Sequence, residues 1–180
     1  MSETLAPSET LAPVVMAAFG LGANAGDRLA ALRQAVAALA RVGRVVALSP
    51  VYETEAHVLP GQAPQPDHLN AVVLAETSLA PLALLSILHA AERAAGRDPR
   101  AERWSARPLD VDLLLYGDAA LAAPGLVVPH PRLAARRFVL APLADVAPNA
   151  RVPGTGRTVR ELLAACPDAA RISRTRLRLT

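Results

Sequence analysis

Lysine is absent. All 19 basic residues are arginines, set against 16 acidic ones for a formal charge of +3. A Walker-type phosphate loop needs a lysine, so "GLGANAGD" (Gly20–Asp27) has the glycines without the cradle. Cysteine occurs once, as Cys166, which excludes an internal disulfide and makes a reducing cytoplasm the expected address. Aromatic residues are only 3% of the chain, too few for the stacking platforms that hold single-stranded nucleic acid. No apolar run reaches the length of a membrane span. The opening "MSETLAPSET" lacks the basic and apolar regions of a secretory leader.

What is present is a globular composition, 52% hydrophobic over 180 residues, long enough to bury one substantial core. "SETLAP" at Ser2–Pro7 returns at Ser8–Pro13, so residues 1–13 read as a disordered extension and 14–180 as one domain. "VVMAAFGLG" reads as a buried strand. Asp27 is placed to cap a helix over Arg28–Arg41, where Leu29, Leu32, Val36 and Leu39 recur at helical spacing. "RVVALSPVYET" reads as a strand bent at Pro50, and Glu55–His68 as a proline-rich loop. "LNAVVLAETS" predicts another strand. The following helix is expected to open at Ser78 and Pro81 and to stop at Gly96. A charged loop, a strand bearing two aspartates, then a short strand, a turn and an arginine-bearing helix in "LVVPHPRLAARRFVLAPLADVAP", and a short helix over Thr158–Ala165 complete the order. Arg171–Arg178 reads as a solvated tail or an edge strand. Strand, helix, strand, strand, helix, strand is the split βαβ arrangement. It predicts an α+β fold with a ferredoxin-like βαββαβ core, an antiparallel sheet and additional helices in a three-layer sandwich.

The charges cluster. Arg97, Arg100, Arg103 and Arg107 fall in one loop, and Arg132, Arg136 and Arg137 in one short segment. Planar guanidinium forks suit phosphate oxygens. Between the clusters lies "RWSARPLDVDLLLYG" (Arg103–Gly117), with Asp110 and Asp112 inside an apolar strand. Alternate strand residues share a face, so the two carboxylates project together, about 6.6 Å apart. A lone buried carboxylate costs several kcal/mol or keeps its proton, and a pair costs more unless a cation lies between. Two hard oxygen ligands suit Mg²⁺, which takes its remaining ligands from water and phosphates. At a solvated strand end the same triplet would need no metal. With arginines upstream and His130 in the turn "VVPHPR", the parts suit nucleoside triphosphate chemistry. His57 and His68 lack zinc-ligand spacing, and Cys166 has no base nearby in sequence.

The motifs "LGAN", "YET", "LNAVV", "AER..GR", "RW..R.LDVDLLLYG" and "VPHPR....RFVLAPL" stand in an order and spacing that resembles bacterial 6-hydroxymethyl-7,8-dihydropterin pyrophosphokinases, from about Phe19 to Pro148. The resemblance implies a monomeric enzyme that transfers pyrophosphate from ATP to the hydroxymethyl pterin, releasing AMP in folate biosynthesis, with two Mg²⁺ ions and no nucleic-acid or membrane partner. It implies Asp110 and Asp112 as magnesium ligands. Arg107, His130 and Arg136 would lie on the phosphates, and Arg97, Arg100, Arg103 and Trp104 in a mobile catalytic loop. Glu92 and His89 would face the nucleotide from one helix, with Leu113 backbone groups at the adenine. Asn70, Phe138, His68 and a backbone contact at Thr54 would hold the pterin.

The chain departs from the family pattern in several places, among them Pro108 after Arg107 and a Glu55–Gln65 segment about three residues longer than in short members. His68 stands where tyrosine is common, His89 where glutamine is, and Ser105 and Ala106 where Gly-Pro is. Two other readings remain at this level: a different Mg²⁺-dependent nucleotide enzyme, or a non-catalytic ferredoxin-like module descended from this family.

Overall fold

The computed structural model describes residues 13–56, 64–98, 100 and 105–180. The expected extension over 1–13 therefore lies almost wholly outside the described residues. The chain runs β1 (Val15–Ala23), α1 (Arg28–Leu39), β2 (Arg44–Leu48), β3 (Tyr52–Thr54), β4 (His68–Thr77), α2 (Pro81–Ala94) and β5 (Asp110–Tyr116). A hairpin of β6 (Leu121–Ala123) and β7 (Leu126–Val128) follows, then a 3-10 turn (Leu133–Ala135) and α3 (Arg137–Val146). A second hairpin, β8 (Arg151–Val152) and β9 (Arg157–Thr158), leads into α4 (Val159–Ala164) and finally β10 (Ile172–Arg174).

One sheet carries β10, β3, β4, β1 and β5 in that order, with β2 also paired to β4, and every pairing is antiparallel. The expected α+β class with an antiparallel sheet is what forms. Pro50, which cannot donate to a ladder, divides one bent strand into β2 and β3. Ser49 bridges the bend: its amide donates to Val72 O at 2.9 Å, and its hydroxyl accepts from Val72 N at 2.8 Å.

Successive strand residues face opposite sides, and the burial follows. Ala17, Phe19, Leu21 and Ala23 of β1 pack with Leu32, Leu39, Leu84 and Leu88 of α1 and α2. Ala18 on the other face joins Val72, Leu114, Val139, Leu140, Leu143 and Leu162, the core under α3 and α4. Each fully buried leucine or phenylalanine contributes roughly 1.5–3 kcal/mol by leaving water.

Helix ends follow local chemistry. Asp27 Oδ1 accepts the Ala30 amide at 3.0 Å and starts α1. Thr158 and Glu161 form a capping box at α4. The expected Ser78 start is corrected: Ala80 is the N-cap of α2 without a side-chain bond, and Pro81 supplies the start by its fixed φ. Thr77 rather than Ser78 takes the local hydroxyl role, its Oγ1 accepting from Leu79 N at 3.1 Å. Gly96, at φ +91°, ends that helix as expected.

The reading of Arg171–Arg178 as a solvated tail is also corrected, in favour of the edge strand. Ile172 to Arg174 pair with Thr54 to Tyr52, Thr175 N donates to Val51 O at 2.9 Å, and Leu179 is buried in the core beside α1. Covering the outer edge of β3 satisfies backbone groups that solvent would otherwise hold.

Candidate active site

The site is built on the face of the sheet that looks toward α3. Register places Asp110 beside Gly22 and Gly22 beside Asn70 in one row, and Asp112, Gly20 and Val72 in the next. The two central positions have no side chain, so an open floor lies between the carboxylates and Asn70. A Cβ at Gly22 would stand 3.3 Å from Asn70 Oδ1, and one at Gly20 3.2 Å from the Leu114 side chain. The resulting cleft has a volume of about 490 Å³ and is lined by Asp110, Asp112, Arg107 and Arg136 toward β5, and by Thr54, His68, Asn70 and Phe138 across the floor. That size suits a small organic ligand.

On the acidic side, Arg97 and Arg107 each bring Nη1 to 2.9 Å from Asp110 Oδ1. The same Arg97 nitrogen contacts Glu92 Oε1. Glu92 is buried on α2, accepts the Val111 amide at 2.9 Å, and is pushed up in pKa by that burial. A chain of alternating charge thus runs from inside the helix layer to the cleft. Among the described residues Asp112 has no arginine in ion-pair contact. Burial, then the Asp110 carboxylate, raises its pKa. His130 Nε2 stands 3.8 Å from Asp112 Oδ2, too far for a hydrogen bond. His130 Nδ1 accepts the Arg132 amide at 3.2 Å, which places the proton of the neutral ring on Nε2, facing Asp112. Burial holds the His130 pKa low.

Opposite, Asn70 Nδ2 donates to Thr54 Oγ1 at 2.7 Å, with both residues buried. This bond fixes the amide plane at the floor. The Arg136 guanidinium lies 5.3 Å from the Phe138 ring centroid, a cation–π distance that couples this cation to the aromatic ring. Burial lowers the His68 pKa and favours a neutral ring, able to offer a flat face.

Other expected residues fall elsewhere. His89 is exposed on α2 and does not line the cleft. Arg100 is exposed, its amide donating to Asp98 Oδ1 at 2.8 Å. Leu113 turns its side chain into the core under α1 and α2, on edge strand β5. Arg103 and Trp104 lie outside the described residues, as does His57.

Among the described residues no group of three or more histidine, cysteine or acidic side chains converges as a metal cage. The donor set nevertheless fits Mg²⁺. Asp110 and Asp112 are paired hard oxygen donors on one face, bordering an open floor, and this ion keeps few protein ligands.

The structure also brings in residues to which the resemblance gives no role. Asn24, readable only as a turn residue, is 1% exposed and ties together the end of the arginine loop at Arg107 and the segment before β4. Arg132 and Arg137 join the lining, the one from the turn before α3 and the other from its first residue. Asp168, Ala170, Arg171 and Ile172, from the C-terminal segment, form one wall of the cleft. The only signal for that wall was the weak alternation in "RISRT".

A family profile described as 7,8-dihydro-6-hydroxymethylpterin-pyrophosphokinase (HPPK) matches residues 18–148. The 2-amino-4-hydroxy-6-hydroxymethyldihydropteridine pyrophosphokinase of Pseudomonas aeruginosa is 46% identical over 149 residues, covering 82% of this chain and 89% of that protein. The protein of the same name from Synechocystis is 42% identical, covering 82% and 74%. The folate synthesis bifunctional protein of Arabidopsis thaliana is 38% identical over 81% of this chain but only 29% of its own length. A crystal structure of Plasmodium falciparum HPPK-DHPS superposes with a TM-score of 0.65 over 85% of this chain and 43% of that one; at 13% identity this is a likeness of fold. With the profile spanning most of the domain and close relatives aligned over most of both lengths, the chain belongs to the 7,8-dihydro-6-hydroxymethylpterin-pyrophosphokinase family.

Proposed function

We propose that this protein transfers the pyrophosphoryl group of ATP to 6-hydroxymethyl-7,8-dihydropterin, forming the pterin diphosphate and AMP for folate synthesis. The observation that carries the reading is the pairing of Asp110 and Asp112 on one side of a glycine floor with Asn70 and Phe138 on the other. A polyphosphate and a flat heterocycle can therefore lie in one cleft with their reacting atoms between them.

Asp110 and Asp112 would hold Mg²⁺, two ions on the family pattern. The metal supplies charge neutralisation at the phosphates and polarises the transferred group. Arg107 and Arg136 orient the phosphate oxygens, and His130 offers its Nε2–H from beside Asp112. Phe138 and His68 sandwich the pterin, while Asn70, braced by Thr54, reads its polar edge. Glu92 holds Arg97 against Asp110, setting the base of the loop that carries Arg100, Arg103 and Trp104. Closure of that loop excludes water, which would otherwise compete as acceptor. The hydroxymethyl oxygen attacks the β-phosphorus in line, forming a new O–P bond. The bond from the β-phosphorus to its bridge oxygen breaks, and AMP leaves with that oxygen. The hydroxyl proton passes to a carboxylate of the pair.

The core order of β5, β1, β4 and the bent β2/β3 strand supports a ferredoxin-like core, and helices on both faces support a three-layer sandwich. A cytoplasmic monomer fits this reading; among the described residues no helix is long and apolar enough to cross a membrane. Incubation with ATP, Mg²⁺ and the pterin should yield AMP and pterin diphosphate in equal amounts. ADP as product, or ATP consumption without the pterin, would reject the assignment.

A further inference from the structure

Helix α3 begins between two side chains assigned above to substrate. Arg136 is its N-cap and Phe138 its second residue. The first amides of a helix have no partner within it, and a side-chain oxygen at the N-cap commonly supplies one. Arginine has no acceptor, and no side-chain bond comes from this N-cap.

The acceptor arrives from another part of the chain. Asp168 Oδ2 accepts the Arg137 amide at 2.9 Å, and the Asp168 carbonyl accepts Arg137 Nε at 2.9 Å. Its second carboxylate oxygen accepts Ala170 N at 2.9 Å, which fixes the carboxylate within its own turn. Arg137 lies between Arg136 and Phe138, so one aspartate holds both its backbone and its side chain. The turn is anchored on either side, by buried Cys166 before it and by the pairing of Ile172 with Thr54 after it. Asp168, Arg136 and Phe138 all line the cleft. Asp168 also lies beyond residue 148, where the family match ends.

We infer that Asp168 is a positioning residue for this cleft: it caps α3 from the C-terminal segment and thereby sets the directions of Phe138 and Arg136. The inference rests on the pyrophosphokinase reading for the identity of the bound pterin. A carboxylate at a helix N-terminus is doubly suited, as hydrogen-bond acceptor and as an anion at the positive end of the dipole. Without it the first turn loses a partner for its amide and frays. Only the fraction of molecules with an ordered turn then binds, and apparent affinity falls in proportion. Loss of one cap shifts the equilibrium between ordered and frayed turns about fivefold, which is the upper bound on the fall in apparent affinity.

The test compares Asp168→Ala and Asp168→Asn with the parent chain. Pterin dissociation constants are measured by fluorescence titration at a temperature where melting curves show each variant folded, and KM and kcat by AMP formation. Asp168→Ala should raise Kd and KM for the pterin more than about twofold, to at most about fivefold, with a smaller change in kcat. Asp168→Asn, which keeps an oxygen acceptor, should stay within about twofold. An unchanged pterin Kd in folded Asp168→Ala, or an asparagine variant as weak as the alanine one, overturns the inference. If the alanine variant does not fold, Asp168→Ser replaces it, with intermediate weakening expected and parental affinity the contrary result. AMP formation by the parent tests the functional reading by itself, whereas the ratio of variant to parental Kd tests Asp168.

Discussion

Asn24 and Arg107 hold each other twice: Asn24 Oδ1 accepts the Arg107 amide at 2.7 Å, and the Arg107 carbonyl accepts the Asn24 amide at 3.0 Å. The other end of the same amide group, Nδ2, donates to Gln65 Oε1 at 3.1 Å and to Pro66 O at 3.4 Å. One buried side chain therefore sets the spacing between the arginine loop and the segment that delivers His68. Asn24→Ala should lower stability by about 1–3 kcal/mol, since it strands buried partners on both sides. Asn24→Asp keeps the acceptor for Arg107 but loses the donor to Gln65 and Pro66. Urea unfolding of both variants measures the two ends; equal stability of Asn24→Ala and parent would deny the bridge.

Asp112→Ala should abolish most turnover, by more than the roughly 100-fold that loss of an outer-shell metal partner costs. Its folded state should be no weaker without Mg²⁺, because burial and Asp110 already disfavour this carboxylate. AMP assays and metal-free melting curves give the two answers. A variant that keeps normal turnover would sink the metal assignment, and one that loses stability would show Asp112 to be structural.

Gly22→Ala puts a methyl group on the floor, 3.3 Å from Asn70 Oδ1. The Asn70 amide, tied to Thr54, has little freedom to retreat. Pterin affinity should fall several-fold while ATP affinity changes less. Titration with each ligand separately decides it, and equal losses would place the floor under both substrates.

Tyr52 donates to Asp145 Oδ2 at 2.7 Å, and burial followed by that carboxylate pushes its pKa up to about 12. The folded value exceeds the unfolded one of about 10. The contribution is therefore complete below pH ~10 and lost as pH rises toward 12. With no lysine and only two tyrosines in the chain, few other groups titrate there. Phenolate absorbance should show one late tyrosine, absent in Tyr52→Phe. The phenylalanine variant should also lose the alkaline fall in unfolding free energy; an unaltered fall would assign it to another group.

The core strands and both long helices were legible because their signals are local. Period-two alternation placed Asp110 and Asp112 on one face, and that face does line the cleft. Asp27 was legible as a cap because its partner is three residues away. The edge strand at Ile172 was not decidable, since its partner Thr54 lies more than a hundred residues earlier and arginines mask its apolar positions. The short strand expected in "LVV" forms as β7, but its partner β6 and the hairpin β8–β9 carried no signal, because strands of two or three residues leave almost no periodicity. Asn24 was legible only as a turn residue at the end of "LGAN", because its bonds reach two distant segments. His89, implied on the nucleotide side by the resemblance alone, stands exposed on α2 outside the lining of the cleft.

The wall formed by residues 168–172 gives the site an order of assembly in time. A ribosome makes the aspartate strand, its glycine floor and the Asn70 strand well before it makes the turn that caps α3. A chain interrupted between Val146 and Asp168 would carry the aspartate strand, the glycine floor and Phe138 but not the carboxylate that accepts the Arg137 amide. The cleft thus gains its last wall only when the C-terminal segment has been made.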